Sequence, residues 1–471
     1  MKKGCALFLA LMIFVLSLAA APFGAMATDV NNDEGMYEVT EQVYADAYML
    51  VNLDDDSYPV IAQKNKDKKK YPASLTKIAT TMVVLNNVDD LQAKTTVSKA
   101  AIDVLTGTGA QVAGLKPGDE LTIEQLLYLT MVYSACDACT VLAEYVSGTI
   151  PEFVKLMNNW ALSLGCENTN FVNCDGLHDE NHYTTAADLE LMTLEALKNE
   201  TFTKIATTQK YTYNDQTFIH TNFMTDKYHI TYYYEYAEGI KTGSTTEAGY
   251  CVITKASKNG YNYLAIVLDS PKQKLDGIET KCSFIDGKTL FEWAFDSLKY
   301  SMVLRQNDVV EEIPVLNGKD ADTVQLVAEK DVNTLVPVSL DASAVIIKPV
   351  DMPESLEAPV TKGEKICTAE IIYGGKTIAT VNLVAAQDIE LSTFLRVWNG
   401  VKGFFGRPAV LAVLVVLIVL VLLYIVYFTV KLTRHDRRAA EKRRSRERLE
   451  EEENRTYREQ HQDDRLDPPK R

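Results

Sequence analysis

Positive charge is in short supply in this chain. Across 471 residues, 48 lysines and arginines face 64 aspartates and glutamates, a net charge of −16. Residues 1–27 carry two lysines and no acid, and residues 431–471 carry 14 basic against 11 acidic residues, which leaves −21 for residues 28–430. A body that acidic repels phosphate backbones, so nucleic acid is excluded as a partner. Cysteine is scarce, and odd in number beyond residue 27. Of eight, Cys5 falls in the leader-like start; the other seven, Cys136, Cys139, Cys166, Cys174, Cys251, Cys282 and Cys367, cannot all pair within the chain. Secreted proteins often pair their cysteines, and Cys166 with Cys174 across a short loop is one such option. Cys136 and Cys139 form a C-x-x-C, but on a strongly apolar segment with no second C-x-x-C after it. Small buried thiols are expected there rather than zinc, and no metal or cofactor is expected elsewhere.

Two apolar runs stand at the ends. Residues 1–27 read MKKGCALFLALMIFVLSLAAAPFGAMA: Lys2 and Lys3, an apolar stretch, then the small-x-small Ala25-Met26-Ala27. That is the pattern of a secretory signal peptide. Ala409–Val430 is uncharged and apolar over 22 residues, long enough to cross a bilayer as a helix. Lys431, Arg434, Arg437, Arg438, Lys442, Arg443 and Arg444 follow it directly, and such charge marks the cytoplasmic side. The expected topology is one span at the cell membrane, with the body outside and the charged tail 431–471 inside. Within residues 391–408, Phe394, Val397, Trp398, Val401, Phe404 and Phe405 recur at helical spacing. An amphipathic helix lying in the membrane interface would look like this.

The body divides by pattern. AYMLVNLDDDSYPVIAQKN is two apolar runs around an acidic turn, a hairpin. A helix is expected from Pro72 or Ala73, a longer one from about Thr122 that breaks near Ser134 and resumes from Asp137, and another from Thr184 or Thr185. GIKTGSTTEAGYCVITKASKNGYNYLAIVLDS alternates like paired strands, with Asn259-Gly260 as a tight turn. After residue 298 the runs are short, β-type and punctuated by Pro, Gly and Asp. The expected architecture is an α/β (α+β) domain over 28–298, a small all-β domain over 299–390, and a transmembrane helix over 409–430.

One stretch points to chemistry. In YPASLTKIATTMVVL, Ser74 and Lys77 stand three residues apart, on one face of a helix. A serine hydroxyl needs a neighbouring base to become a nucleophile, and a buried lysine near positive charge can serve. Further on come Ser134-Ala135-Cys136 and Lys241-Thr242-Gly243. S-x-x-K, S-x-N and K-T-G in this order resemble the serine acyl-transferases of the penicillin-binding class. YPASLTKIATTMVVL, GLKPGDELTIEQLLYLTMVYSACDA, FVNCDGLHDENHYTTAADL and GIKTGSTTEAGYCVI together are similar to the low-molecular-weight D-alanyl-D-alanine carboxypeptidases. The likeness covers roughly residues 47–298, and the β-rich segment is similar in kind to that family's second domain.

The resemblance implies a serine DD-peptidase fold related to β-lactamases, peptidoglycan stem peptides as substrate and β-lactams as covalent inhibitors. It implies Ser74 as nucleophile, Lys77 as its base and Ser134 as a proton relay. Lys241 would carry positive charge that keeps Lys77 near neutral and attracts the substrate carboxylate. Thr242 would hydrogen-bond that carboxylate, and Gly243 would let the strand approach the substrate. The oxyanion hole would be the N–H groups of Ser74 and Ser244. Cys136 departs from the pattern, because the family places Asn there and a thiol bonds more weakly.

Two alternatives have a sequence motive. A class A β-lactamase shares the three motifs but needs an E-x-x-x-N loop, and Glu167-Asn168-Thr169-Asn170 has the wrong spacing. A non-hydrolytic receptor that is acylated by β-lactam would use the span and tail for signalling, though the tail carries no kinase, protease or DNA-binding pattern.

Overall fold

The computed structural model describes residues 36–460; the signal-peptide reading of residues 1–27 lies outside them. The chain forms two compact units. One comprises the chain to Val303 with Val332–Lys348 and Glu370–Thr380; the other comprises Leu304–Asp331, Pro349–Ala369 and the chain from Val381.

The first unit is built on a five-stranded sheet of β1 (Ala47–Asn52), β2 (Val60–Lys64), β3 (Ala237–Thr245), β4 (Gly249–Lys258) and β5 (Tyr261–Ser270). Their order is β2-β1-β5-β4-β3 and every pairing is antiparallel. Both expected hairpins are present. Asn259 and Gly260 take the positive φ angles, 54° and 86°, that a tight turn requires. The strands alternate between two buried faces. Met49, Val51, Leu264, Ile266 and Leu268 meet the helical layer that holds Ile78, Met82, Leu126, Leu142 and Phe153. Tyr48, Leu50, Tyr263, Ala265 and Val267 meet Phe284, Leu290, Phe291 and Trp293 of the helix Cys282–Ser297. A period of two with both faces apolar is what a sheet covered on both sides demands.

The helix Lys77–Asn87 runs through the middle of the helical layer, buried along residues 77–84. The second expected helix begins at Ile123 behind a reciprocal Thr122–Gln125 capping box. It ends in one π-helical turn, Leu129–Tyr133, and a new helix starts at Cys136. The third, Ala186–Leu197, is capped by Thr185.

In the second unit, Val309–Leu316 pairs antiparallel with Thr323–Ala328, which pairs on its other edge with residues 383–385. Ile313, Val315, Val324, Leu326 and Leu383 are buried at alternate positions. Thr393–Phe405 is a helix capped by Ser392 with no buried residue, and Phe394, Val397, Trp398, Val401, Phe404 and Phe405 are all exposed. The helix Pro408–Gln460 contains the apolar stretch, which is long and apolar enough to cross a membrane.

Candidate active site

Ser74 does not sit in the first turn of an α-helix, as the spacing suggested. Ala73–Thr76 form a 3-10 turn, and the α-helix starts at Lys77. A 3-10 turn has three residues per revolution, so positions i and i+3 eclipse. Ser74 is half-buried at the rim while Lys77 is fully buried beneath it. Lys77 Nζ donates to Ser74 Oγ at 2.9 Å. It also donates to Cys136 Sγ at 3.4 Å and to the Asp175 carbonyl. Ala73, immediately before the serine, has φ +46°. Such backbone in a non-glycine residue stores strain and persists only where its surroundings over-determine it.

Two glycines do so. A Cβ on Gly176 would lie 1.9 Å from the Ala73 carbonyl oxygen. A Cβ on Gly243 would lie 2.8 Å from the Pro72 carbonyl oxygen and 3.0 Å from the Ser74 amide nitrogen. The turn that carries Ser74 is thus held between the 174–177 loop and β3. Gly243, expected to let the strand approach the substrate, is also crowded by the Pro72–Ser74 segment.

The π turn Leu129–Tyr133 ends at Ser134, whose φ is +67°. π turns and left-handed residues both cluster at functional sites. Ser134 lines the cleft, and its hydroxyl has no protein hydrogen-bond partner among the described residues. Cys136 opens the next helix, its N–H bonded to Gln111 O at 2.7 Å. The Asp137 carboxylate accepts the N–H groups of Ala113, Gly114 and Leu115. It therefore pins the loop that carries Gln111 into the cleft wall rather than serving the chemistry.

On the third wall, Lys241 is fully buried and donates to its neighbour's carbonyl, Thr242 O, at 3.0 Å. Thr242 Oγ1 lies 2.6 Å from Thr221 Oγ1. Thr221 carries no motif in the sequence; only the fold brings it beside Thr242.

Two buried ammonium groups in one site compete for protons. Burial, and then the charge of Lys77, hold Lys241 well below the usual lysine range. Burial also works against a proton on Lys77, but Cys136, Cys139 and Asp175 face it and the net shift is upward. The Cys136 and Cys139 thiols are themselves pushed up by burial and stay neutral near pH 7. The attraction that survives there is that of Asp175 and its carbonyl. The two lysines are thus shifted in opposite directions, Lys77 up and Lys241 down.

The three walls enclose a cleft of about 720 Å³. Ser74, Ser134, Cys136, Asp175, Thr221, Thr242, Gly243 and Ser244 line it. Lys77 and Lys241 lie behind the surface. Among the described residues the one lysine or arginine in the lining is Lys281. Its Nζ sits 4.8 Å from the centre of the Phe223 ring and 5.6 Å from that of Tyr250. Sequence reasoning missed it, since Lys281 is one lysine among many and joins no motif. All seven cysteines from Cys136 to Cys367 are buried free thiols, Cys166 and Cys174 included.

Comparison with known proteins agrees along most of the chain. Residues 34–272 match the family described as D-alanyl-D-alanine carboxypeptidase, Peptidase S11. Residues 299–391 match the C-terminal domain of penicillin-binding protein 5. The D-alanyl-D-alanine carboxypeptidase DacF of Bacillus subtilis is 28% identical over 363 residues, 76% of this chain and 89% of that protein. The D-alanyl-D-alanine carboxypeptidase of Streptomyces sp. strain K15 is 35% identical over 218 residues, 44% of this chain and 75% of that protein. Among solved structures, penicillin binding protein 5 from Haemophilus influenzae superposes with a TM-score of 0.58 at 26% identity, covering 75% of this chain and 100% of that one.

Proposed function

Because the chain belongs to the Peptidase S11 family of D-alanyl-D-alanine carboxypeptidases, we propose that it removes the terminal D-alanine of peptidoglycan stem peptides through an acyl-enzyme on Ser74. The observation that carries the residue assignment is the 2.9 Å contact between Lys77 Nζ and Ser74 Oγ at the mouth of the cleft.

The substrate's terminal carboxylate docks at the Thr242 hydroxyl, with Lys281 as its counter-charge in the lining. An anion there favours the ammonium form of Lys241, and a charged Lys241 repels the proton on Lys77. The pair titrates as one unit, so substrate binding frees Lys77 to act as base. Lys77 then takes the Ser74 proton as Oγ bonds to the carbonyl carbon between the two D-alanines. The N–H groups of Ser74 and Ser244 receive the oxyanion. The C–N bond breaks as Ser134 passes a proton to the leaving amine. Water attacks the ester, its proton returns through the same groups, and Ser74 is regenerated. A β-lactam enters by the same attack, but its opened ring stays tethered and the ester persists.

Two measurements test this reading. Purified protein should release D-alanine from a D-Ala-D-Ala peptide, and a fluorescent penicillin should label Ser74. Release of no D-alanine despite labelling would favour a penicillin receptor; fast turnover of penicillin with none of the peptide would favour a β-lactamase.

For location, Ala409–Val430 would be the anchor, residues 28–408 outside the cell and residues 431–471 inside, after removal of residues 1–27. The uncharged run and the basic cluster from Lys431 support it. Protease added to intact cells should remove the body and spare the tail.

A further inference from the structure

His182 is a buried side chain that the mechanism above leaves unused. It is 2% exposed and does not line the cleft. Its Nδ1 accepts the Val172 N–H at 3.1 Å, so a neutral ring carries its proton on Nε2. Nε2 lies 2.7 Å from Thr76 Oγ1. Thr76 Oγ1 lies 2.8 Å from the Ala73 carbonyl oxygen, to which it donates. Each group has one role left to play. Val172 N–H donates to Nδ1, Nε2–H to the Thr76 hydroxyl, and that hydroxyl to the Ala73 carbonyl. The Phe171 ring meets the imidazole edge-on at 5.5 Å.

The end of this chain is the point of interest. Ala73 holds the left-handed backbone angle that aims Ser74, and its carbonyl is the one crowded by Gly176. An alanine keeps such an angle only under constraint. We propose that His182 is a positioning residue for the nucleophile. Acting through Thr76, it fixes the Ala73 carbonyl and so the placement of the Ser74 hydroxyl and N–H. The inference rests on Ser74 being the nucleophile. His182 touches no substrate atom and exchanges no proton with the reacting groups. A misplaced nucleophile and oxyanion donor slow bond formation, while the remaining walls of the cleft still hold the ligand.

The test uses the full-length protein in detergent and a fluorescent penicillin. The acylation rate constant and the binding constant are obtained separately from progress curves at rising penicillin concentration. His182→Leu removes both ring partners, and His182→Gln retains an acceptor and a donor. Thr76→Val keeps the side-chain volume and removes the hydroxyl, and Thr76→Ser keeps the hydroxyl. Thr76→Val and His182→Leu should acylate about ten- to a hundredfold more slowly, with the binding constant within about threefold of wild type. Thr76→Ser and His182→Gln should recover most of the rate, and the double variant His182→Leu, Thr76→Val should be no slower than the slower single one. If His182→Leu fails to fold, Thr76→Val decides. A Thr76→Val protein that melts like wild type and acylates at the wild-type rate overturns the proposal, as does a loss confined to the binding constant. Both outcomes leave the nucleophile assignment intact while wild type is labelled on Ser74. Labelling on another residue removes the assignment and the proposal together.

Discussion

Gly243 stands so close to Ser74 that a methyl group in place of its hydrogen would lie 3.0 Å from the Ser74 amide nitrogen. The neighbouring atoms are the Pro72 carbonyl oxygen, the Ser74 amide nitrogen and the Ala73 Cβ, none of which can swing aside. Gly243→Ala should force β3 and the Pro72–Ser74 turn apart. Overpacking of this kind costs about 1–3 kcal/mol in stability, but the larger effect should fall on acylation, because the two N–H groups proposed as oxyanion donors, those of Ser74 and Ser244, flank the point of contact. A loss of about tenfold or more in penicillin acylation is expected, with a melting temperature only a few degrees lower. Wild-type acylation by Gly243→Ala would mean the contact relaxes harmlessly.

Lys281 should set the preference for a free C-terminal carboxylate. It is the lysine that faces the cleft, whereas Lys241 is sealed behind Thr242. A hydrogen bond to a charged group contributes about 1.5–3 kcal/mol, which is roughly ten- to a hundredfold in rate. Lys281→Ala should lose about that much turnover on a D-Ala-D-Ala peptide, and Lys281→Arg should lose much less. Competition against the same peptide with an amidated C-terminus provides the check. Wild type should strongly prefer the free acid, and Lys281→Ala should narrow that preference. An unchanged preference would move the counter-charge elsewhere.

Some of the site was legible in the sequence because its determinants are local. Ser74 and Lys77 are three residues apart, Asn259-Gly260 names its own turn, and Thr185 caps the helix that follows it. The apolar runs of β1 and β5 likewise mark the strands of the two hairpins. What stayed hidden depends on the fold. Thr221 meets Thr242 across 21 residues, and Lys281 reaches the cleft by opening a helix on the far side of the sheet. Ala73 gives no sign of a left-handed backbone, because that angle is imposed by Gly176 and Gly243 from outside. The opposite shifts at Lys77 and Lys241 depend on the fold for a related reason. Spacing tells which groups are neighbours along a helix, but not which of two lysines faces Asp175.

Acid should weaken the first unit through His182. Burial, aided by Lys77 and His178 and opposed by Asp179, lowers its pKa to about 4. The unfolded chain takes up that proton near pH 6.5, and the folded chain does not until about pH 4. His182 therefore favours folding fully above pH 6.5, and that contribution is lost as the pH falls through 4. The difference of about 2.5 units corresponds to about 3 kcal/mol. His182→Gln carries no such proton. Melting of both proteins between pH 7 and pH 4.5 should show wild type losing more stability on acidification than the variant. A gap that stays constant would mean His182 titrates alike in both states.

Cys136 gives the sharpest contrast between a weak group and a strong one in the same place. Its Sγ is 3.4 Å from Lys77 Nζ, and its backbone is fixed by the Gln111 carbonyl. The thiol is a poor acceptor, and burial keeps it protonated. Cys136→Asn would offer an amide oxygen to Lys77 and an amide N–H₂ to the cleft. The side chain lines the cavity, so the extra atoms have somewhere to go and the amide is not left unsatisfied in the core. An ordinary hydrogen bond contributes about 0.5–1.5 kcal/mol, so peptide turnover should rise roughly two- to tenfold. A thiol reagent should act on the native residue slowly at pH 7 and faster as the pH climbs past 9, because only the thiolate attacks. Prior acylation by penicillin should protect it by filling the cleft. If Cys136→Asn melts normally yet turns over peptide a hundredfold more slowly, the cleft is shaped to the sulfur. The second motif would then work here through the packing of Cys136 and not through its hydrogen bonds.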